Sequence, residues 1–349
     1  MQAFSGAWNA ACTSGNPSVV YIPKGEYFLN PISFKGPCKA QEITVHVAGN
    51  LIAPREHSLW NKQALDHWLR FRDVKGLTVE GWGSLDGSGK HWWDGSCTIN
   101  TTNPCRKGPS SLQFSKCTDI TLRNMNLTNS KQVHVNFEFC NGVKAHGLNI
   151  SAPHDSPNTD GIHIHQSKNV VIQNITVGTG DDCISVGHGS FNIHIQHITC
   201  GPGHGISVGS LGGNNQEAFV RNVTVSDVSL FNTDNGLRIK TWQGGKGVAT
   251  RLNFSNVEMR NVKNPILIDQ YYCPQSSQCP NQTNAVQISK VSYNNINGTS
   301  ATRAAVQFSC TGSVPCLDIS LHNVHLIYVN GGHEDIKGVN AVSTCYNAQ

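Results

Sequence analysis

Carboxylates and one imidazole recur at regular intervals in the middle of this 349-residue chain. Asp160, Asp182 and His204 are 22 residues apart, each just before a short segment rich in Ile and Val, and Asp181 directly precedes Asp182. Two neighbouring carboxylates repel each other, so one can stay protonated as an acid while another is ionised as a base at mildly acidic pH. This combination of residue types indicates acid–base hydrolysis.

Two cations extend the series. Segment 236–239 continues the alignment after a longer insertion and contains Arg238, and Lys240 follows directly. Residues i and i+2 of a strand lie on one face, so both side chains are predicted to point the same way. A guanidinium and an ammonium group together suit a carboxylate ligand. The carboxylates, the imidazole and the two cations come together only if each repeat is one turn of a coil. Neighbouring strands would then lie roughly 4.8 Å apart.

A repeat of suitable length runs from Ile43 onwards. Its unit has apolar residues at positions i, i+2, i+5 and i+7, and the phase shift predicts a bend between two short strands, often at Asn or Gly. Segments 161–164, 184–186 and 206–208 add a third short strand to their units. The four apolar positions are occupied by Ile120, Leu122, Met125 and Leu127; Val143, Ala145, Leu148 and Ile150; Val170, Ile172, Ile175 and Val177; Ile193, Ile195, Ile198 and Cys200; Val223, Val225, Val228 and Leu230; Leu252, Phe254, Val257 and Met259; Val286, Ile288, Val291 and Tyr293; and Ile319, Leu321, Val324 and Leu326.

Three short strands per unit predict an all-β fold, a single-domain right-handed parallel β-helix over residues 1–349. We expect its coils over 43–330 and an N-terminal cap over 1–37, where the apolar positions of 4–12 have a helical period. A leucine-rich repeat would have more Leu and a helical half, and a β-sandwich would lack a fixed phase over many units. Three tryptophans, Trp82, Trp92 and Trp93, are interpreted as a cover over the edge of the core.

The composition limits the classes of partner. With 14% charged residues, a net charge of +4 and a pI near 8.4, the chain suits an acidic polymer but is too weakly basic to indicate nucleic-acid binding. No apolar stretch reaches the roughly 18 residues of a membrane span. We therefore expect a monomer that binds neither nucleic acid nor membrane.

Thirteen cysteines, together with Asn-x-Ser/Thr sequons, favour a secreted protein. Cys117 and Cys140 occupy equivalent points of successive units and are predicted to be buried free thiols. Closely spaced pairs predict disulfides that close short loops, at Cys97 and Cys105, Cys273 and Cys279, and Cys310 and Cys316. The sequons are at Asn100, Asn126, Asn149, Asn174, Asn222, Asn253, Asn281 and Asn297.

Four ordered segments resemble the signature of glycoside hydrolase family 28, the polygalacturonases. They are Asn158-Thr159-Asp160, Gly180-Asp181-Asp182, Gly203-His204-Gly205 and Arg238-Ile239-Lys240. The resemblance covers nearly the whole chain, including 82–93 and the strand that ends at Cys273, and it is greatest to plant members, pollen polygalacturonases among them. Family members usually have a strand before the first helix and plant members a cysteine after Cys345, so we expect trimmed ends and leave the partner of Cys345 open.

The resemblance implies a secreted enzyme that hydrolyses α-1,4-galacturonosyl bonds of pectin with inversion, without a metal or another cofactor. It implies that Asp181 is the general acid, and that Asp160 and Asp182 hold and activate the water. It further implies that His204 supports the protonation of Asp181. The residues implied to bind the substrate are Asn158, Arg238, Lys240 and Tyr272.

The backbone around these carboxylates must bend. Strict alternation along the third strand would turn Asp160 inward together with Ile162. Bends at Gly161, Cys183 and Gly205 are therefore expected to turn the polar side chains outward. A disulfide between Cys183 and Cys200 would fix the turn that carries the paired carboxylates, and two buried thiols are the alternative.

Other interpretations stay open. A pectate lyase would share the coil but would use calcium, a basic proton acceptor and alkaline pH. An inactive wall-binding or allergenic relative would keep the fold without turnover, and a lone Asn-Thr-Asp can be a simple Asx-turn. A rhamnogalacturonan hydrolase is disfavoured because Arg238 and Lys240 suit a carboxylated sugar. Endo or exo cleavage depends on loops such as 95–110, 212–219 and 243–249 and is not predicted.

Overall fold

The computed structural model describes residues 2–60, 66–96, 107–274, 279–331, 335–339 and 341–348. The chain divides into two compact units, one of residues 1–163 and 167–180, the other of residues 164–166 and 181–349. The predicted Cys97–Cys105 pair lies outside the described residues, as does the side chain of Cys345. Over the described residues, neither α-helix is long and apolar enough to cross a membrane.

The first unit begins with a helix and continues as short strands. Helix α1 spans Gln2–Thr13 and α2 spans Lys90–Trp93, with a 3-10 turn at His57–Leu59. The strands are β1 (Ser18–Ile22), β2 (Glu26–Phe28), β3 (Ile32–Lys35), β4 (Ile43–Val47), β5 (Asn50–Ile52), β6 (His67–Arg72), β7 (Lys75–Glu80), β8 (Ser84–Asp86), β9 (Ser110–Ser115), β10 (Thr118–Arg123), β11 (Asn126–Thr128), β12 (Val135–Glu138), β13 (Asn141–His146), β14 (Asn149–Ser151), β15 (Ile162–His165), which runs across the division, and β16 (Lys168–Gly178).

These strands recur in sets of three, and the pairings between them that the described residues make are parallel. One ladder contains β1, β4, β7, β10, β13 and β16, and a second contains β2, β5, β8, β11, β14 and the end of β16. The third contains β3, β6, β9 and β12. Each set is one turn, which confirms the predicted all-β parallel β-helix. The first turn starts at Ser18, inside the segment predicted as a cap, because Ser18–Ile22 pairs in register with Ile43–Val47.

A column of stacked phenylalanines fills the interior of the first unit. Phe34, Phe71, Phe114 and Phe137 follow one another with centroid distances of 4.9, 5.6 and 5.2 Å. Trp8 of α1 lies 5.3 Å from the ring of Phe34, so the predicted helix covers the end of this column. A disulfide between Cys12 and Cys38, which was not predicted, ties α1 to the strands.

The second unit continues with a short and a long strand in each turn. The short strands pair in parallel in chain order, and so do the long ones. Its strands are β17 (Ile184–Val186), β18 (Ser190–Cys200), β19 (Ile206–Leu211), β20 (Glu217–Phe231), β21 (Asn235–Thr241), β22 (Lys246–Val262), β23 (Asn264–Asp269), β24 (Gln287–Ser300), β25 (Ala304–Ser309), β26 (Cys316–Tyr328), β27 (Asp335–Val339) and β28 (Ala341–Ala348), with a 3-10 turn at Gly213–Asn215. Disulfides join Cys183 to Cys200, Cys273 to Cys279 and Cys310 to Cys316.

Left-handed residues make the predicted bends. In each of the eight sequence repeats from Ile120 to Leu326, one residue with positive φ comes just before the first apolar position. A second comes between apolar positions i+2 and i+5. Asn, Asp and Gly dominate because they tolerate this conformation best. The first position is held by Asp119, Gly142, Asn169, Asn192, Asn222, Arg251, Lys290 and Asp318, and the second by Asn124, Gly147, Asn174, His197, Asp227, Asn256, Asn295 and Asn323.

One predicted unit has the wrong phase. Leu252 pairs with Val291 and Phe254 with Tyr293, so the unit predicted to begin at Val286 begins five residues later. The apolar positions i and i+2 have the same spacing as positions i+5 and i+7. The apolar pattern of the sequence therefore also fits when the unit is placed five residues too early. Cys117 and Cys140 are buried free thiols, as predicted.

The stacked column predicts a position-dependent loss of stability. Phe114→Ala removes a fully buried ring and should lower the free energy of unfolding by about 3–5 kcal/mol. Phe28→Ala changes a ring that is 81% exposed and should alter it by less than about 0.5 kcal/mol. Urea unfolding of both variants measures the difference, and equal losses would contradict the stacked core.

Candidate active site

Asp182 is a buried carboxylate of the second unit with several hydrogen-bond donors around it. It is 1% exposed and lies just before β17. Its Oδ1 accepts hydrogen bonds from Ser207 Oγ at 2.8 Å and from Arg238 Nη2 at 2.6 Å, and its Oδ2 accepts one from Lys240 Nζ at 2.8 Å. Arg238 Nε also donates to Ser207 Oγ at 3.0 Å. Four side chains therefore form one buried polar cluster.

The register of the short strands positions this cluster. Ser185 pairs with Ser207, and Ser207 pairs with Arg238, so three successive turns place their polar side chains in one column. Lys240 follows two residues after Arg238 on the same face, as predicted. The Cys183–Cys200 disulfide adjoins Asp182 and ties β17 to β18.

Two cations keep Asp182 ionised. Burial alone would raise the pKa of this carboxyl, but the charges of Lys240 and Arg238 outweigh it and hold the pKa well below its usual range. The sequence interpretation assigned both cations to the substrate and expected the carboxylates to face outward. In the structure Asp182 lies with Ser207 and Arg238 on the face opposite the core, but it is buried there and engages both cations, because an ionised carboxylate cannot stay buried without partners.

The cluster still has capacity for an anion. One carboxylate and two cations leave one positive charge in excess when the adjoining Asp181 is protonated. A guanidinium carries five N–H donors and an ammonium three, and Asp182 and Ser207 use only some of them. A carboxylated ligand can therefore bind the donors of Arg238 and Lys240 that remain.

His204 lies between two carboxylates. Its Nδ1 is 3.1 Å from Asp181 Oδ1, and its Nε2 is 3.5 Å from Asp234 Oδ2. Lys263 Nζ is 2.6 Å from the other oxygen of Asp234. Burial lowers the pKa of His204, but its hydrogen bond with Asp181 and the charges of Asp181 and Asp182 outweigh this and raise it. Because its pKa is raised, His204 keeps its second ring proton to a higher pH than an ordinary histidine.

Two features of the backbone support this arrangement. The Asp182 N–H donates to Asp181 Oδ1 at 2.7 Å, which orients the paired carboxylates relative to each other. Gly205 has a φ of +77°, and a Cβ there would lie 2.0 Å from the carbonyl oxygen of Asn235. The bend predicted at Gly205 therefore requires glycine for both conformation and space.

Tyr272 lies beside the cations, and its implied contact with the substrate stays a prediction. Lys240 Nζ lies 5.3 Å from the centroid of its ring, within the range of a cation–π contact. Trp242 packs against the same ring edge-on, with centroids 6.0 Å apart. Sequence reasoning did not identify Trp242.

Asn158 and Asp160 belong to the first unit, and their approach to the second unit's carboxylates stays a prediction. The Asp160 carbonyl oxygen accepts hydrogen bonds from the backbone N–H of His134 at 2.9 Å and from its Nδ1 at 3.0 Å. Burial lowers the pKa of His134 to about 4, although its hydrogen bonds to backbone groups oppose the shift. A neutral imidazole therefore fixes the backbone at Asp160. Thr159 Oγ1 donates to the Ser156 carbonyl oxygen at 2.9 Å.

Sequence reasoning missed Ser207, Asp234, Lys263 and His134. Ser207 and Asp234 had a usable signal, because they occupy the same phase of the repeat as residues already aligned. Gly203 bridges to Thr233, so extending the alignment by one turn places Asp234 beside His204. His134 and Lys263 lie outside the four motifs, and the repeat alone does not distinguish them from other polar residues.

One group of these side chains has the composition of a metal site. Asp181, Asp182 and His204 each offer a ligand atom, and these atoms lie within 4.8 Å of one another. Both oxygens of Asp182 already accept hydrogen bonds from cationic groups. A divalent ion there would be repelled by Arg238 and Lys240, so the donor set does not suit a metal.

Comparison with known proteins places this chain in a family. The model of "Glycosyl hydrolases family 28" matches residues 12–345. The chain belongs to this family. Family 28 relatives include a probable polygalacturonase of Arabidopsis thaliana, 45% identical over 95% of this chain and 74% of its own length. Another is a polygalacturonase of Persea americana, 45% identical over 95% of this chain and 71% of its own length.

Solved structures agree with the family 28 fold. A polygalacturonase from Erwinia carotovora has a TM-score of 0.77 at 25% identity and covers 93% of this chain and 89% of its own. An endo-xylogalacturonan hydrolase from Aspergillus tubingensis has a TM-score of 0.81 at 20% identity, over 97% and 94% of the two chains. The parallel β-helix predicted from the repeat is therefore the fold of this glycoside hydrolase.

The buried cluster predicts an acid-dependent stability. Asp182→Asn leaves Arg238 and Lys240 without their counter-charge and should destabilise the protein by roughly 3–5 kcal/mol at pH 7. Asp182 has a lowered pKa in the folded protein. Its contribution to the free energy of unfolding is therefore complete above the ordinary pKa of 3.8 and declines as the pH falls below that value. Urea unfolding between pH 7 and pH 3 should show the gap between variant and parent narrowing only below about pH 4.

Asp181→Asn is the matched control, because Asp181 is more exposed and its ion-pair partner, His204, is one-third exposed. It should cost less than about 1 kcal/mol at pH 7. A similar loss for both variants would contradict the assignment of the buried charge to Asp182.

Proposed function

We propose that this chain is a polygalacturonase that hydrolyses the α-1,4 bonds between galacturonate units of pectin. The observation that carries the proposal is the cluster in which Arg238 and Lys240 surround Asp182, beside Asp181 and His204, with one positive charge in excess when Asp181 is protonated as the acid. A polymer with a carboxylate on every sugar matches that charge. The names of the family 28 relatives support the same substrate.

The proposed mechanism is a single displacement with inversion. Asp181 protonates the leaving glycosidic oxygen, and a water attacks the opposite face of the sugar. Asp182, kept ionised by its cations, holds and activates that water together with Asp160.

His204 returns the proton in this mechanism. In the state that reacts, the imidazolium of His204 donates its Nδ1–H to Asp181 Oδ1 across the 3.1 Å contact, and the acid proton of Asp181 lies on its other carboxyl oxygen. That acid proton goes to the leaving oxygen, the Nδ1 proton then passes to Asp181, and the neutral imidazole takes a new proton from solvent. Asp234, on the other ring nitrogen, stabilises the charged imidazole and keeps the ring in place.

Substrate binding is assigned to Asn158, Arg238, Lys240 and Tyr272. Arg238 and Lys240 hold a galacturonate carboxylate with their remaining donors, and Tyr272 packs beside the bound sugar. Secretion to the cell wall is part of the proposal, supported by four disulfides among the described cysteines. We propose that the protein acts as a monomer without a metal.

The assignment of Asp181 predicts a large loss of turnover. Asp181→Asn should lower the release of reducing ends from polygalacturonate at acidic pH by roughly 10²–10⁴-fold, because it removes general acid catalysis. Asp227→Asn is the control, since Asp227 lies at an exposed bend and Asn tolerates its φ of 57°. It should keep the parent's activity.

Three outcomes would overturn the proposal. Undiminished turnover by Asp181→Asn would refute its role as the acid. Unsaturated products that absorb in the ultraviolet would show a lyase, and binding of polygalacturonate without cleavage by the unaltered chain would show an inactive relative.

A further inference from the structure

Two exposed aromatic side chains and a half-buried histidine form a row in the first unit, away from the proposed catalytic residues in the chain. Trp82 is 71% exposed and Tyr21 is 60% exposed. The ring of His46 lies between them, stacked on Tyr21 at 5.6 Å and edge-on to Trp82 at 5.3 Å. The interpretation of Trp82 as a cover over the core was therefore wrong, whereas Trp92 and Trp93 are buried as predicted.

The backbone holds this row in place. Tyr21 of β1 and His46 of β4 are direct partners in a parallel ladder. Trp82 stands between Gly81 and Gly83, where a Cβ would lie 2.0 Å from the carbonyl oxygen of Val47 and 2.1 Å from that of Gly49. The backbone at 81–83 therefore packs directly on the backbone at 47–49. Because this backbone is already fixed, a ligand that binds the rings costs little further conformational entropy.

Polar and charged groups border the rings. His46 Nδ1 is 3.3 Å from Glu80 Oε1, and Arg123 Nε donates to Glu80 Oε2 at 2.6 Å. The Arg123 side chain is 44% exposed. A sugar ring has an apolar C–H face and a rim of polar groups, and a uronate adds a carboxylate. Flat rings with a polar border and an accessible guanidinium match both parts of such a ligand.

The shape of the row favours a linear polymer over a folded protein. Tyr21 and His46 follow one another across adjacent strands, and Trp82 continues the row. The neighbouring position on β4 is Thr44, which is polar and half-buried. A stable protein interface covers about 800 Å² on each partner, which a row three rings long and one ring wide does not supply.

We propose that Tyr21, His46 and Trp82 form a second binding site for a polygalacturonate chain, which holds the enzyme on its polymer. Galacturonate rings stack on the aromatic row, and their carboxylates meet Arg123. The inference rests on the proposed function, because it takes the substrate polymer as the ligand.

The test compares binding and turnover in the full-length chain. Trp82→Ala with Tyr21→Ala should weaken binding to a polygalacturonate gel on the order of 10-fold, from about 0.5–1.5 kcal/mol per ring. Binding is measured in the Asp181→Asn background, so the polymer stays intact. In the otherwise unaltered enzyme, kcat on a short oligogalacturonate should be unchanged, while KM on the polymer rises. Phe28→Ala removes an aromatic ring outside the row that is 81% exposed, and it should leave gel binding unchanged.

The outcomes separate the two proposals. Unchanged gel binding by the double variant, or an equal loss with Phe28→Ala, would overturn the second site even if hydrolysis is found. A ring-dependent loss of gel binding in a protein that cleaves no oligogalacturonate would support the second site and refute the proposed function. A ring-dependent loss of binding to cellulose but not to polygalacturonate would overturn the assigned ligand.

Discussion

The ion pairs of Asp182 with Arg238 and Lys240 are the constraint on which the site depends. A carboxylate that is 1% exposed is tolerated only with full electrostatic compensation, and its partners are more than fifty residues away in the chain. Parallel strands in fixed register bring them together, because Ser185, Ser207 and Arg238 fall on one row of three turns. A slip of one residue would turn that row to the other face of the sheet.

The repeating bend makes this register dependable. A left-handed residue at two fixed places in each repeat unit from Asp119 onwards resets the strand direction, and side-chain hydrogen bonds such as those from Asn256 to Asp227 and from Asn295 to Asn256 connect the same places in successive turns. The same regularity presents side chains outside the polar cluster. Tyr21 and His46 stack because their strands are register partners, just as Ser207 and Arg238 are.

Much of this could be predicted, since periodicity reports which residues share a row. The equivalence of Asp182 and His204, the helix over the phenylalanine column and the bends at Asn, Asp and Gly are properties of the repeat itself. The start of the unit predicted at Val286 could not be determined from the sequence. Its two pairs of apolar positions have the same spacing and are five residues apart, so either pair can be taken as the first. The sequence shows that Arg238 and Lys240 share a face of one strand. That both form ion pairs with Asp182 follows from the burial of this carboxylate, which the sequence does not show. The exposure of Trp82 likewise depends on how tightly its glycine neighbours pack.

The ionisation of Asp182 is tested most directly by its own titration. The carboxyl carbon of Asp182, labelled with carbon-13 and assigned by comparison with the Asp182→Asn protein, is followed by NMR from pH 7 down to the acid limit of folding. The account predicts that the signal stays that of a carboxylate through pH 3.8, the ordinary pKa of the group, and shows no titration step above it. A midpoint at or above that pH would contradict the claim that Arg238 and Lys240 keep this buried group charged.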